Sequence, residues 1–438
     1  MPTIRVIWIV FFVLFVAQIA QGSERFPPPN FESGYELPNL SQTAPHSDIY
    51  AYLDVVVLFA TLLLVSYVAL KRRSRRGIFF IGVFSLAYFG FWREGCVCAI
   101  GSIQNITLAL FDGNYVVPLT VIAFFALPIL FTLFFGRTFC AGVCPLGAIQ
   151  DVVSVRPVRV PPWLVSGLSV VPFLYLGGAV LFAAAGSRFI ICEYDPFVAF
   201  FRRSGSLNMF ILGGSFLLIG LVVERPYCRF LCPYGALLNL VSRVAKWHVN
   251  ITPSGCIQCH LCADACPMGV IRKPTVHILE ARSEHTRRRD RGRLLLCLMS
   301  LPLLVGLGGW LGWHLGPALS QGDARVQLAE HIWLEDTGRV GERSDASAAF
   351  RGTGRPLEEL YEEVLNVRQQ FSFGGGLFGA FTGFVIGFKL ISLALRHRRI
   401  DYEINRGGCV SCGRCFDSCP VGKEGDEGDL IEIQGIAV

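Results

Sequence analysis

Apolar residues gather in eight long stretches, near residues 4 to 21, 49 to 70, 77 to 92, 116 to 136, 163 to 185, 207 to 223, 294 to 317 and 373 to 395. Charged or polar segments separate them. The hydrocarbon core of a bilayer is roughly 30 Å thick and takes about 20 helical residues to cross, so each stretch predicts a transmembrane helix, the third a short one. The first has two readings: Arg5 ahead of an apolar run, with Ala20-Gln21-Gly22 at a cleavage spacing, fits a secretory signal as well as an anchor. The expectation is therefore an α-helical polytopic membrane protein of seven or eight transmembrane helices. Leu357, Leu360, Tyr361, Val364 and Leu365 add an amphipathic helix, packed on the protein's own outer surface or against a partner.

Composition agrees. The chain of 438 residues is 53% hydrophobic and 16% charged, too apolar for an ordinary soluble enzyme of this length. Its net charge of +6 comes from 34 Arg and 5 Lys against 33 acids, and the excess sits in short clusters rather than over one face. That pattern encodes topology, not nucleic-acid binding. Lys71 to Arg76, Arg287 to Arg293 and Arg396 to Arg399 all fall on the cytoplasmic side if every stretch spans, and Arg202-Arg203 is the one dissenting pair. The expected order is a signal or anchor (1–22), a periplasmic linker holding Pro27-Pro28-Pro29 (23–48) and a membrane domain (49–248). A cytoplasmic segment (249–293), two helices joined by a periplasmic loop at 318–372 (294–395) and a cytoplasmic tail (396–438) follow.

Sixteen cysteines carry the chemistry. Cys256-x2-Cys259-x2-Cys262-x3-Cys266-Pro267 and Cys409-x2-Cys412-x2-Cys415-x3-Cys419-Pro420 both match the bacterial ferredoxin run for a [4Fe-4S] cluster. Three closely spaced thiolates wrap one cluster, and the fourth, before Pro, ligates the other. The expected sets are Cys256, Cys259, Cys262 and Cys419 for one cluster, and Cys409, Cys412, Cys415 and Cys266 for the second. Two segments separated by two spans would thus form one cytoplasmic, bacterial-ferredoxin-like module. Zinc normally uses two CxxC pairs with a longer spacer. The string Cys256-Ile257-Gln258-Cys259-His260 also reads as a haem-attachment motif, but its expected cytoplasmic side argues against that use.

Phe139-Cys140-Ala141-Gly142-Val143-Cys144-Pro145-Leu146-Gly147-Ala148 parallels Tyr227-Cys228-Arg229-Phe230-Leu231-Cys232-Pro233-Tyr234-Gly235-Ala236. Cys-x3-Cys sets two sulfurs one helical turn apart. Side by side, the motifs offer four thiolates to one further metal or cluster at the inner membrane edge, or they are structural helix-turn elements. A degenerate copy, Cys98-Ala99-Ile100-Gly101-Ser102-Ile103-Gln104-Asn105, falls on the periplasmic side with Cys96 and Cys192. There the alternatives are a redox site with Asp195 or Glu94, or a disulfide between Cys98 and Cys192. Cys297 reads as a buried apolar filler. Asp54 and Glu224 are either proton- or quinone-handling groups or merely solvated ends of spans. No phosphate-binding loop, dinucleotide fingerprint or hydrolytic triad string stands out.

Over about residues 50 to 438, the paired Cys-x3-Cys-Pro motifs (Cys140, Cys144, Cys228, Cys232) and the eight ferredoxin cysteines resemble the membrane polyferredoxins of the NosR/NapH type. Cys96-Val97-Cys98 and Cys192-Glu193-Tyr194-Asp195-Pro196-Phe197 also look like NosR-type sequence. The resemblance implies a bacterial inner-membrane electron-transfer protein. It would relay electrons between quinol or a cytoplasmic donor and a periplasmic reductase of the nitrous-oxide or nitrate type. NosR-type proteins carry a large periplasmic flavin domain ahead of the spans, and residues 23 to 48 are too short for one, so any flavin would come through a partner. The implied partners are lipid, other electron-transfer subunits and a periplasmic flavoprotein or reductase, with quinone a further cofactor. A bilayer about 30 Å thick is too far for one electron hop. Intermediate stations are expected at Cys140, Cys144, Cys228 and Cys232 and at Cys96, Cys98 and Cys192. The rival readings are a maturation factor that reduces or delivers metal to a periplasmic enzyme, and a redox sensor.

Overall fold

The computed structural model describes residues 48–95, 98–155, 157–251, 257–275, 284–341, 343–395, 399 and 401–420. The expected signal or anchor, the proline linker up to residue 47, Cys96 and Cys256 lie outside the described residues. In chain order the membrane domain contains α1 (Asp48–Tyr67), α2 (Arg75–Ser85), α3 (Ser102–Phe111), α4 (Leu119–Phe135), α5 (Thr138–Gly142) and α6 (Pro145–Val153). It continues with α7 (Pro162–Leu168), α8 (Val171–Ala184), α9 (Ile190–Glu193), α10 (Val198–Arg202), α11 (Leu207–Gly220), α12 (Pro226–Phe230) and α13 (Pro233–Val241). Then come α14 (Leu261–Ala265), β1 (Ile271–Arg272), α15 (Glu284–Ser320), α16 (Ala324–Asp336), α17 (Asp345–Gly352), α18 (Leu357–Ala394), β2 (Glu403–Ile404) and α19 (Arg414–Asp417).

Among the described residues four helices are long and apolar enough to cross a membrane: Ile49–Arg72, Pro162–Ala184, Arg288–Ser320 and Leu357–Ala394. Three shorter apolar helices, Ser102–Phe111, Leu119–Phe135 and Leu207–Gly220, accompany them. α1 and α2 each end in a π-helical turn, Val68–Arg72 and Leu86–Trp92. The hairpin between them closes because Arg73 takes left-handed backbone (φ 49°) and the Ser74 side chain caps α2 by accepting from the Gly77 amide. One apolar core joins these helices to the short α5, α6, α12 and α13. It includes Leu62, Val65, Ile78, Phe139, Ile149, Tyr227, Tyr234 and Leu238. The short helices are therefore not surface decoration. Residues Pro145 to Asp151 of α6 are all buried.

α15 and α18 form a long antiparallel pair governed by glycine. Gly308, Gly312 and Gly316 face Gly375, Gly379 and Gly383, and a Cβ on Gly308, Gly312 or Gly379 would overlap backbone of the opposite helix. Small residues at every fourth position let two helix backbones meet where lipid supplies no hydrophobic drive for association. The amphipathic series from Leu357 is the first turns of α18 rather than a separate element. Its buried face, Leu360, Val364, Val367 and Phe371, packs with Val326, Ala329 and Ile332 of α16 and with Leu181. It thus covers the protein's own surface. The segment expected as a loop at 318–372 is largely helical, because Asp323 and Ser344 cap α16 and α17 with side-chain oxygens. Cys297 is half-buried rather than fully buried, on a span that has little of its surface inside the protein.

The two cysteine-rich segments meet after a long excursion through α15 to α18. β1 pairs antiparallel with β2, Ile271 opposite Ile404 and Arg272 opposite Glu403. The Asn405 amide donates to Val270 O, and Thr275 and Arg399 exchange hydrogen bonds. α14 packs against α19.

Gly379→Val should push α15 from α18 and lower stability by about 1–3 kcal/mol, as overpacking does. Gly306→Ala, which meets open space, should be neutral or slightly stabilising. Thermal unfolding in detergent separates the two outcomes, and equal midpoints would refute the glycine contact.

Candidate metal centres

Each ferredoxin half curls through left-handed backbone at matching places. Gln258 and His260 flank Cys259 with φ of 55° and 65°, and Ser411 and Gly413 flank Cys412 with φ of 53° and 75°. Such turns aim successive thiols toward one point and are the reason a glycine suits position 413. Cys409, Cys412 and Cys415 line one cavity together with Cys266 from the other segment, walled by Met268 and Val410. Burial pushes the Cys409 thiol up to about 12 and the Cys415 thiol up as well, with neighbouring thiols adding to it. Bare, these groups would stay protonated at neutral pH. A bound metal is what stabilises such thiolates. Of the other expected set, Cys259 is exposed and Cys262 and Cys419 are half-buried.

The membrane-edge motifs are built as two copies. In each, a five-residue helix carries the first cysteine, the second cysteine precedes a proline at the first helical position, and a nine-residue helix follows. The copies interlock. Gln150 of α6 accepts from the Tyr227 amide at 3.0 Å and donates to Cys228 Sγ at 3.3 Å. Arg225, three residues before Cys228, donates to the carbonyls of Cys140 and Ala141 and lies against Gly147. Arg137, three residues before Cys140, lies against Gly235, donates to Gly407 O at 3.0 Å and approaches Cys140 Sγ at 3.7 Å. Cys144 and Cys232 are buried, and all four thiols interact electrostatically. Cys140 also packs against the group formed by Cys266, Met268 and Val410.

Charge marks the seam between these sites. Asp151 is held by Arg75 at 2.7 Å, Arg414 at 3.5 Å and Arg225 at 3.6 Å. Glu224 is held by Arg414 at 2.8 Å and accepts from Ser154 Oγ. Three guanidiniums thus face two carboxylates, and among the described residues no carboxylate pairs with Arg137. The excess is buried, Arg225 being 1% and Arg137 6% exposed. Nε of both has no hydrogen-bond partner. Buried cations without counter-charge are costly. An anionic, thiolate-held cluster with sulfide acceptors would supply both missing partners, so these residues fit one. Among the described residues no three Cys, His, Asp or Glu side chains are placed to bind a single ion. Zinc needs its ligands within about 2.3 Å of one point, whereas a cubane offers each thiolate its own iron.

Beyond these sites, Cys98 and Cys192 are free thiols near one another, Cys98 half-buried and Cys192 exposed. Asp54 and Glu224 are not solvated ends of spans. Asp54 is 2% exposed and bound by Arg93 at 2.6 Å and Tyr88 at 3.0 Å, and Glu224 is 1% exposed within the seam. Arg75, Arg137, Arg225 and Arg414 escaped the sequence reading, where arginine spoke only of topology. Their recurrence three residues before each first motif cysteine (Arg137, Arg225) was the available signal.

A family model described as a 4Fe-4S binding domain matches residues 117–169 and 206–252, and a second 4Fe-4S binding domain matches 249–272. The first spans Cys140, Cys144, Cys228 and Cys232. An uncharacterized protein of Methanocaldococcus jannaschii is 27% identical over 46% of this chain and 84% of its own length. The putative electron transport protein YccM of Escherichia coli is 26% identical over 42% of this chain and 56% of its own. The regulatory protein NosR of Pseudomonas aeruginosa is 27% identical over 50% of this chain. The chain spans only 32% of NosR's length. No solved structure matches the chain.

Asp151→Asn should strand buried arginines and cost about 3–5 kcal/mol, whereas Asp264→Asn, which breaks an exposed pair with Arg159, should change little. Burial alone would raise the Asp151 pKa, but Arg225 and Arg75 outweigh it and hold the carboxyl below its usual range. Its contribution is therefore present above an unfolded-state pKa of about 4 and is lost as pH falls through the lower folded value. Unfolding midpoints of wild type and Asp151→Asn across acidic pH should converge only at the acid end.

Proposed function

This chain is a relative of the NosR/NapH-type membrane [4Fe-4S] polyferredoxins, and from that premise we propose that it is a transmembrane electron relay. In this reading seven or eight helices cross a bacterial inner membrane, the ferredoxin module lies on the cytoplasmic side, and electrons pass from quinol or a cytoplasmic donor toward a periplasmic reductase. Cys409, Cys412, Cys415 and Cys266 would hold one cluster, Cys256, Cys259, Cys262 and Cys419 a second, and Cys140, Cys144, Cys228 and Cys232 a third. A bound [4Fe-4S] cluster supplies reversible one-electron transfer.

One observation carries the reading: Cys266 shares a cavity with three cysteines from a segment more than a hundred residues away, and Cys140 of the membrane edge packs against that same group. Met268, Val410 and Ile271 give the cavity an apolar wall. The arginines of the seam hold the module on the membrane domain through backbone carbonyls. Arg75 binds Cys412 O at 3.2 Å, and Arg229 binds Pro267 O and Met268 O at 3.2 and 2.9 Å. These bonds tie the module and the membrane edge together, which would fix the gap that stepwise transfer crosses.

On anaerobically purified protein, Cys266→Ser and Cys412→Ser should each remove the same low-temperature EPR signal, and Cys419→Ser a different one. Each should lower iron by about 4 per chain if its cubane is lost. Cys266→Ser grouping with Cys259→Ser instead would mean uncrossed ligation. Unchanged iron in Cys140→Ser and Cys228→Ser would remove the membrane-edge centre from the relay.

A further inference from the structure

We infer that Cys98 and Cys192 form the core of a further iron-sulfur centre, on the far side of the membrane-edge centre from the ferredoxin module. The basis is a structural copy. In the inner site Cys144 precedes Gly147 and Gln150, and Gln150 Oε1 accepts the amide of Tyr227, the residue before Cys228. At the outer pair Cys98 precedes Gly101 and Gln104 at the same spacing, and Gln104 Oε1 accepts the amide of Ile191, the residue before Cys192, at 3.0 Å. It also accepts from Cys192 N at 3.3 Å. Gly101 leaves open the space the two sulfurs share: a Cβ there would stand 3.3 Å from Cys192 Sγ and 3.9 Å from Cys98 Sγ.

A second observation points to a ligand. Gln150 Nε2 donates to Cys228 Sγ, but its counterpart Gln104 Nε2 has no partner although Gln104 is 0% exposed. Buried amide donors of this kind are satisfied in native proteins, and the sulfur of a bound centre is the acceptor this geometry lacks. Asp195 is buried beside both thiols, its Oδ1 accepting from the Phe197 and Val198 amides. Cys98, Cys192 and the Asp195 carboxylate are the ligands the described residues offer; they do not converge on one ion, a spread that suits a cluster, whose ligands go to separate irons.

Position gives the centre a role. The turn before Cys192 reaches the C-terminal end of α15, where Arg188 donates to Gly322 O. β1 lies near the C-terminal end of α18, where Arg272 interacts with Lys389 and Gly387 packs on Leu301 of α15, so about 30 Å of α15 separates the two levels along its axis. Ala99, next to Cys98, lines a small cavity with Val143 and Pro145, which flank Cys144. Tyr234 interacts electrostatically with Cys140, Cys144 and Cys232 and also with Cys98. One electron leaving the membrane-edge centre would reduce the outer centre across this single buried layer, with no proton or bond change. That role rests on the relay proposed above.

The test uses the full chain, purified anaerobically. Cys98→Ser and Cys192→Ser should each lower iron per chain and abolish one shared EPR signal, while the signals that depend on Cys266 and Cys228 persist. Gln104→Glu should keep the iron and shift that signal's midpoint potential downward, since a donor becomes an anion. Unchanged iron and spectra in both cysteine variants would overturn the inference. So would a Cys98–Cys192 disulfide found by thiol counting and mass spectrometry, or copper or zinc in place of iron. Loss of every signal in both serine variants, with intact Gln104→Glu protein of unshifted potential, would count against it as well. Failure of the membrane-edge centre would register separately, as unchanged iron in Cys140→Ser and Cys228→Ser.

Discussion

The arrangement depends on a set of buried and half-buried arginines at the seam between the membrane domain and the cysteine-rich module. Asp151 and Glu224 bring Arg75, Arg225 and Arg414 to one place, and Arg75 and Arg225 have further donors for the surrounding backbone, as does Arg137 nearby. Arg75 reaches Cys412 O, Arg225 reaches Cys140 O and Ala141 O, and Arg137 reaches Gly407 O. Guanidinium suits this task because it is always charged and presents a planar fork of donors. The seam fixes where the cavity of Cys266, Cys409, Cys412 and Cys415 stands relative to Cys140. It also leaves an excess of buried positive charge that an anionic centre would answer, which would couple docking and metal binding through the same side chains.

Backbone proximity is the second constraint. The α15 and α18 pair lies between the two ferredoxin halves in sequence, and its close glycine packing makes the long excursion return the chain to its starting side. Only then can β1 find β2. Within the membrane domain the same economy of space appears at Gly147 and Gly235, where each arginine of one motif lies against the glycine of the other. A Cβ at Gly235 would stand 3.3 Å from the Arg137 guanidinium and press on it, whereas one at Gly147 would touch Arg225 at an ordinary 3.5 Å.

Much of this was legible in the sequence. The apolar stretches at 49–70, 163–185, 294–317 and 373–395 fall within the long helices Ile49–Arg72, Pro162–Ala184, Arg288–Ser320 and Leu357–Ala394 to within a residue, and the motif parallel between Cys140 and Cys228 predicted a duplicated element. The sharing of Cys266 with the second ferredoxin half follows the spacing of the cysteine runs, and the cavity brings those four residues together. Less legible was depth. Hydropathy reads 137 to 162 and 224 to 248 as segments outside the spans, yet α6 and α13 contribute to the main core, because short helices bury themselves against neighbours that are distant in sequence. Asp54 and Glu224 misled for the same reason: a carboxylate near a span end is solvated unless an arginine from elsewhere comes to it, and both met one. The fourfold glycine spacing of α15 and α18 was present in the sequence, but its meaning required knowing that the two helices are partners.

The duplicated geometry also changes how the transmembrane problem is posed. A relay limited to the two ends of a bilayer would face a gap of about 30 Å. Here the motif cysteines sit at the starts of short buried helices. Cys98 lies just before α3 and Cys144 at the start of α6, and residues flanking both cysteines line one cavity. Helix starts carry unpaired amides and partial positive charge, so these termini favour anionic sulfur on both sides of the layer. Burial pushes the Cys98 thiol up to about 12 and raises Cys144 and Cys232 well above their ordinary value. Thiols so placed are poor reagents in themselves. Their ionised form would depend on what they hold.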